Sequence, residues 1–310
     1  MQVIRTTDEI KKCIGNRETA VALGAFDGLH IGHRAVIGKA LKSGFTPVVF
    51  TFQDNPAVLL SGKCHYLTTV EERLRFLESW GVEVVVLPAF ADVADWSAQR
   101  FLEMLRDDLN AKVISCGTDF SFGKYAAGKV EMLNAFCAEN EIKLHVTEPV
   151  CYAGERVSAT RIREALRNGE AEDAAAMLGR PFGFAFTVVH GNHLGRTIGI
   201  PTINQAFPPS FILPRFGVYA SAVYVGDKVF CGVTNVGVKP TVGSDNALSE
   251  TWMPGFSGDL YGQTLRLELL GFIRDERKFA SLEELCGVIH ENAVTAKEIF
   301  EKYQSEQNKR

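Results

Sequence analysis

The chain has 310 residues, 46% of them hydrophobic and 23% charged, with a formal net charge of −4. That length predicts about two buried cores, no apolar run reaches the ~20 residues of a membrane span, and the acidic balance argues against a nucleic-acid-binding surface. Seven cysteines without a CxxC pair, and a start (MQVIRTTDEIKK) without an apolar leader, predict reduced thiols in a cytoplasmic protein rather than a disulfide framework or zinc site.

Up to about residue 180, short β-rich runs alternate with amphipathic helical stretches. Residues 19–26 (TAVALGAF) read as a strand, 31–44 as a helix stopped by Gly44, and 46–52 as the next strand. Residues 69–81 carry Leu74, Leu77 and Trp80 at helical spacing before a stop at Gly81. Strand-like 82–88, helical 97–110, strand-like 112–116, helical 130–141 and strand-like 142–147 continue the series. Runs such as VEVVVL, apolar on both faces, suit a parallel sheet covered on both sides, so the first half is predicted to be a doubly wound α/β domain. From Gly179–Phe182 onward the strands are short and closely spaced, which predicts a small antiparallel barrel or sandwich, with one helix from Ser281 to about Tyr303 outside it. The predicted domains are 1–180 and 181–310, with no repeats and no low-complexity linker.

The first strand runs directly into GAFDGLHIGH, Gly24–His33. In an α/β sheet this turn lies at the strand C-terminal ends, where nucleotides bind. Gly24 and Gly28 permit tight turning beside phosphates, with Phe26 and Asp27 between them. His30 and His33, three apart at a helix start, can face one ligand, and exposed helix N–H groups suit a phosphate whose charge grows in a transition state. Taken alone, the motif supports adenylyl or cytidylyl transfer to many acceptors. A second motif is VSATRIREALRNGE. Ser158 is a good N-cap, but Arg161 and Arg163 in the first turn oppose the helix dipole unless an anion lies between them. Residues 123–130 have P-loop glycine and lysine spacing but end in Val130 rather than the Ser or Thr that binds magnesium, so no kinase role is assigned to them.

In the second half, HGNHLGRTIGIPTINQ places Gly191, Gly195 and Gly199 close together, around Arg196, which suggests backbone held near a ligand. After Pro201, Thr202 and Asn204 are two apart and share one side of an extended segment, a hydroxyl and an amide oxygen suited to Mg²⁺.

GAFDGLHIGH, GTDFSFGKYAAG and SATRIR, followed by PTIN, TNVGVKPTVG, SETWMPGFSGDLYG and GFIRDERKF, resemble in order the two modules of bacterial bifunctional riboflavin kinase/FAD synthetases. The resemblance spans about nine-tenths of the chain. It implies an adenylyltransferase of the Rossmann-like HIGH class, then a β-barrel riboflavin kinase with a C-terminal helix. It also implies that riboflavin becomes FMN and FMN becomes FAD, each step using ATP with Mg²⁺. By the same resemblance His30 and His33 hold ATP phosphates, and Asp119, Ser158, Thr160, Arg161 and Arg163 help to place ATP and the flavin phosphate. Thr202 and Asn204 bind Mg²⁺ and phosphates, Glu250 is the base, and Trp252 and Arg274 belong to the kinase site. Asp259 reads instead as a turn acid, and Glu276, beside Arg274, Arg277 and Lys278, as an ion-pair partner. Two positions depart from the family pattern. Asn55 precedes Pro56 where the family has histidine, which removes one expected nucleotide contact, and Ala159 replaces a serine. Activity of only one module, and a flavin-binding regulator without turnover, are the alternatives. The retained His30, His33, Thr202, Asn204 and Glu250 argue against the regulator. The expected partners are small molecules (riboflavin, FMN and ATP), with no nucleic acid and no membrane, and nothing in the pattern argues for an oligomer.

Overall fold

The computed structural model describes residues 1–56, 59, 65–191, 199–238 and 247–308. Packing divides the chain into two compact units, 1–159 and 160–310.

The first unit is built on a six-stranded sheet. Its strands are β1 (Gln2–Ile4), β2 (Thr19–Leu23), β3 (Thr46–Phe50), β4 (Val84–Val86), β5 (Ala111–Gly117) and, after two short hairpin strands, β6 (Ser121–Phe122) and β7 (Gly128–Lys129), β8 (Lys143–Thr147). The order is β1-β4-β3-β2-β5-β8, and every pairing is parallel. Alternate residues feed opposite layers. Val21 and Leu23, Val48 and Phe50, and Val84 and Val86 enter one core, while Ala20 and Ala22, Val49 and Val85 enter the other. On the second side lie α2 (Ile31–Leu41), through Val36, Ile37 and Ala40, and α3 (Val70–Ser79), through Leu77. The first side includes α1 (Ile10–Ile14). Each fully buried Val or Leu contributes about 1.5–3 kcal/mol, so the sheet centre has no residue to spare for a polar site and the strand ends must carry one.

After α4 (Phe90–Val93), the predicted helix at 97–110 forms as α5 (Ala98–Glu103) and then widens into a π turn at Met104–Asp108. Leu102, Met104, Leu105 and Leu109 all remain buried along it. The predicted strand at 19–26 ends at Leu23, because Gly24–Phe26 leave the sheet. Beyond α6 (Val130–Glu139) and β8, a short hairpin of β9 (Cys151–Tyr152) and β10 (Glu155–Arg156) completes this unit.

The second unit contains α7 (Ala159–Asn168, whose first residue belongs to the first unit), α8 (Ala171–Leu178) and a closed antiparallel barrel. Arg215 ties the first of these helices to the barrel by donating to Asn168 O at 3.1 Å and, from its backbone, to Leu166 O at 2.8 Å. The barrel strands are β11 (Phe182–Val189), β12 (Thr202–Ala206), β13 (Gly217–Val225), β14 (Lys228–Val238), β15 (Ala247–Trp252) and β16 (Thr264–Arg274), in the order β11-β12-β15-β14-β13-β16. β11 closes on β16 from Phe182↔Leu269 to Thr187↔Thr264. Phe182, Phe184 and Phe186 fill the interior with Phe207 and Phe211, at ring separations of 4.8–6.5 Å. The interior also holds a row of hydroxyls. Thr234 Oγ1 lies 2.7 Å from Ser221 Oγ and 2.8 Å from Thr251 Oγ1, and all three residues are buried.

Outside the barrel lies α9 (Leu282–Gln307), with Ser281 as its N-cap accepting from Glu284 N. Ala296 and Phe300 pack against Val218, Ala220, Ala222, Val233 and Leu270. A polar clasp fastens the same helix: Tyr303 and Tyr224 both donate to Glu268 Oε2, at 2.9 and 2.8 Å, and Arg266 donates to Glu268 Oε1 at 2.8 Å.

Two measurements test these packing arguments. Thr234→Val leaves two buried hydroxyls without their shared partner and should lower unfolding stability by about 1–3 kcal/mol in urea titrations. Burial first, and then the Glu268 charge, raise the Tyr303 phenol from 10.0 to about 12, and Tyr224 shifts in the same direction. A raised folded-state value keeps the full stability below pH 10 and loses it as pH climbs through about 12. Alkaline unfolding curves should therefore fall in that window, with a shallower slope in Tyr303→Phe.

Candidate active sites

The loop between β2 and α2 is held in an unfavourable shape. Phe26 (φ 51) and Leu29 (φ 45) adopt left-handed backbone conformations although neither is glycine, beside Gly28 (φ 79). Such residues cost about 1–2 kcal/mol each, and here burial offsets the cost, since Phe26 is 1% and Leu29 0% exposed in the core. A Cβ on Gly24 would lie 2.9 Å from the Phe26 ring, so a side chain there would have to displace that buried ring. From α3, the buried Arg73 guanidinium donates to Ala25 O at 3.0 Å and to Phe52 O at 2.5 Å, joining the loops that follow β2 and β3. Burial lowers the Arg73 pKa, and the Asp27 charge partly opposes that shift.

His30 caps α2. Its Nδ1 accepts from His33 N at 3.3 Å, which requires that nitrogen to be unprotonated and leaves Nε2–H as the ring's donor. The two imidazoles stack at 3.5 Å with an 18° tilt, and Phe26 meets His33 edge-on at 5.2 Å. No acidic residue occupies the first turn of α2, so the N-terminal dipole is open to an anion. Both histidines, Gly24 and Phe26 line a cavity of about 810 Å³. Asp27 and Gly28 stand behind it as braces. Asp27 accepts from Leu67 N at 3.0 Å and from Asn55 Nδ2 at 3.2 Å, and Gly28 N donates to Thr68 Oγ1.

Across the cavity, Asp119 pairs with Arg156 at 2.5 Å, and both residues line the wall. A Cβ on Gly117 would approach Asp119 Oδ1 to 3.1 Å. Arg156 is a cation that the motif reading missed. It is 37 residues from its partner, on a short hairpin with no periodic pattern. Phenylalanines form another wall: Phe101 meets Phe122 at 5.2 Å, and Phe52 meets Phe90 at 5.4 Å. Ser158 and Ala159 line the same cavity. Thr160, Arg161 and Arg163 fall in the second unit, with Arg163 buried on α7. The P-loop-like segment 123–130 forms the turn after β6 and then β7, which pairs with β6, and Lys124 pairs with Asp95 at 2.8 Å.

In the barrel, burial alternates along β15, so Thr251 points inward while Glu250 and Trp252 point outward. Register sets Glu250 opposite Asn204 on β12 and opposite Asn235 on β14, and sets Trp252 opposite Thr202. Asn204 is 5% exposed, and a Cβ at Gly191 would lie 2.5 Å from its Nδ2, so that glycine makes room for the amide. Gly199 turns at φ 75 just before Pro201. Gly195 and Arg196 lie outside the described residues. Trp252 meets His290 of α9 at 5.4 Å. Arg274 Nε donates to Asn292 Oδ1 at 3.3 Å, and burial lowers its pKa. Asp259 accepts from Tyr261 N at 3.0 Å, the behaviour of a turn acid. Glu276 accepts from the Asn235 amide at 3.1 Å, while Arg277, one of the cations expected to pair with it, pairs with Glu284 instead. Among the described residues no cluster of three His, Cys, Asp or Glu side chains could hold a metal, and no helix is long and apolar enough to cross a membrane.

The family model for FAD synthetase matches residues 14–161, and that for riboflavin kinase matches residues 178–300. A bifunctional riboflavin kinase/FMN adenylyltransferase of Escherichia coli K12 is 35% identical, covering 90% of this chain and 92% of that protein. Its counterpart in Listeria monocytogenes is 32% identical, covering 91% and 92%. A crystal structure from Streptococcus pneumoniae, named as a macrolide-efflux protein, superposes with a TM-score of 0.85 at 30% identity, covering 96% of this chain and 99% of that one. With both modules matched in order along one chain, the protein belongs to the family of bifunctional riboflavin kinase/FMN adenylyltransferases.

Proposed function

We propose that the two sites act in succession, the barrel phosphorylating riboflavin to FMN and the α/β unit adenylylating FMN to FAD. The observation that carries this reading is that each unit holds a distinct local arrangement: stacked histidines at a helix N-terminus in one, and a row of Asn204, Glu250 and Asn235 in the other. The activities are assigned to residues 1–180 and 181–310. The helices between 159 and 178 follow the first set of motifs in sequence but pack with the barrel.

In adenylyl transfer, a phosphate oxygen of FMN attacks the α-phosphorus of ATP. The new P–O bond forms as the bond to the bridging oxygen breaks, and pyrophosphate leaves without a covalent enzyme intermediate. The chain's part is electrostatic. His30 Nε2–H, His33 and the first N–H groups of α2 stabilise charge on the phosphates, while Asp119 and Ser158 position the reactants.

In the kinase reaction Glu250 takes the proton of the riboflavin 5′-hydroxyl as that oxygen attacks the γ-phosphorus and ADP departs. Thr202 Oγ1 and the Asn204 amide oxygen are hard donors on one strand face, where they would hold a magnesium ion that would supply neutralisation of phosphate charge. Gly191, Gly199 and Pro201 shape the strand entry, and the assignment extends to Gly195 and Arg196 in the same segment. Trp252 walls the flavin and Arg274 contributes positive charge nearby. The six described cysteines, all unpaired, support a reducing, cytoplasmic setting.

Separate measurement of the two half-reactions tests this assignment. Glu250→Gln should abolish FMN formation from riboflavin and leave conversion of supplied FMN to FAD within twofold. Equal collapse of both rates in a folded variant would overturn the two-site reading. His33→Ala should lower FAD formation by about 10²-fold or more with kinase activity retained, and an unchanged rate would remove His33 from the site.

A further inference from the structure

Tyr125 stands on the rim of the adenylyl-transfer cavity, 92% exposed, in a turn formed by Lys124–Ala126. Its backbone is left-handed (φ 56, ψ 26), and Ala126 follows at φ 55. Two successive side-chain-bearing residues in that region are costly. Packing of the Tyr125 ring does not offset the cost, in contrast with Phe26 and Leu29, whose side chains are buried. The turn is instead anchored at its base. Lys124 N donates to Trp96 O at 2.6 Å, Lys124 Nζ pairs with Asp95 at 2.8 Å, and a Cβ at Gly123 would lie 2.7 Å from the Ala98 nitrogen. The anchoring thus holds an exposed aromatic ring at the mouth of a cavity at a conformational cost.

The chemistry of that side of the cavity indicates what the ring meets. The segment leading into the turn contributes Phe120 and Phe122, stacked at 5.7 Å with a 21° tilt, and Phe101 lies against Phe122. The neighbouring charges, Lys124 and Asp95, are already paired, and Lys124 Nζ sits 5.4 Å from the Tyr125 ring centroid. Three aromatic rings dominate this side of the cavity, with the Ser121 hydroxyl between two of them, and they offer more stacking surface than edge contacts. Such a wall suits a wide, planar, fused ring system.

We propose that Tyr125 is a specificity-determining clamp of the adenylyl-transfer site, stacking on the isoalloxazine ring of FMN against the phenylalanine wall. The proposal rests on reading the cavity as the adenylyl-transfer site. A tyrosine in contact with a flavin quenches its fluorescence, which gives a readout independent of turnover. In the full chain, Tyr125→Ala should raise both the Kd for FMN, measured by fluorescence titration, and the KM for FMN about five- to tenfold. It should also weaken quenching of bound FMN, with kcat for FAD formation, KM for ATP and riboflavin kinase activity within twofold. Tyr125→Phe should restore FMN affinity. Tyr125→Gly, which relieves the left-handed strain, should bind FMN as weakly as Tyr125→Ala while melting no lower than the parent chain. Unchanged FMN affinity in Tyr125→Ala, or a rise confined to ATP, would overturn the clamp. His33→Ala run in parallel separates the two failures: if it loses FAD formation while Tyr125→Ala binds FMN normally, the clamp alone is wrong, and if it keeps its rate, the cavity assignment is wrong.

Discussion

The period of two along a strand decides where chemistry can occur in both units, and everything functional depends on it. In the parallel sheet, successive residues of β2, β3 and β4 serve two apolar layers, so neither face has a position to give up. What remains is the line of strand C-terminal ends, where the loops of Gly24–His30, Phe52–Pro56 and Gly117–Ala126 converge on one cavity. In the barrel the interior is filled by phenylalanines and the hydroxyl row. The outward half of each strand is therefore the surface that can hold substrate. Asn204, Glu250 and Trp252 all lie on that outward half.

Much of this arrangement can be read from the residues. Strand and helix alternation, the change to short strands near Gly179–Phe182, and the histidine spacing all depend on local period, and they reappear as a parallel sheet, a closed barrel and a capped, stacked histidine pair. Less legible were the parts that depend on distance in sequence. Arg73 sits in VEERLRFLES, where its pattern is that of a solvated helix face, yet it is buried and clasps two loop carbonyls. Arg156 and Tyr125 lie on short turns without periodicity. Asp27 lies inside the motif, but its bonds to Leu67 N and Asn55 Nδ2 join positions far apart in sequence and could not be read from it.

Asn55 illustrates how a departure from a family pattern acquires a physical meaning. Its side chain is 4% exposed and donates to Asp27, so the amide helps to fix the nucleotide loop from behind. Pro56, beside it, still lines the cavity. Ala159 also lines the cavity, where it contributes surface but no hydroxyl. Both changes leave the His30–His33 stack untouched.

The hydroxyl row inside the barrel has a consequence for how the protein comes to be active at all. A slip of one residue between β14 and β15 would turn Thr251 outward and drive Glu250 into the phenylalanine-filled interior. A buried, unpaired carboxylate there is prohibitive, and the hydroxyls would lose their partners in the same movement. The mispaired barrel is thus unstable for the same reason that it is inactive. Selection for folding and selection for chemistry act on a single geometric variable, and cellular quality control that removes unfolded chains also removes the ones that could not phosphorylate.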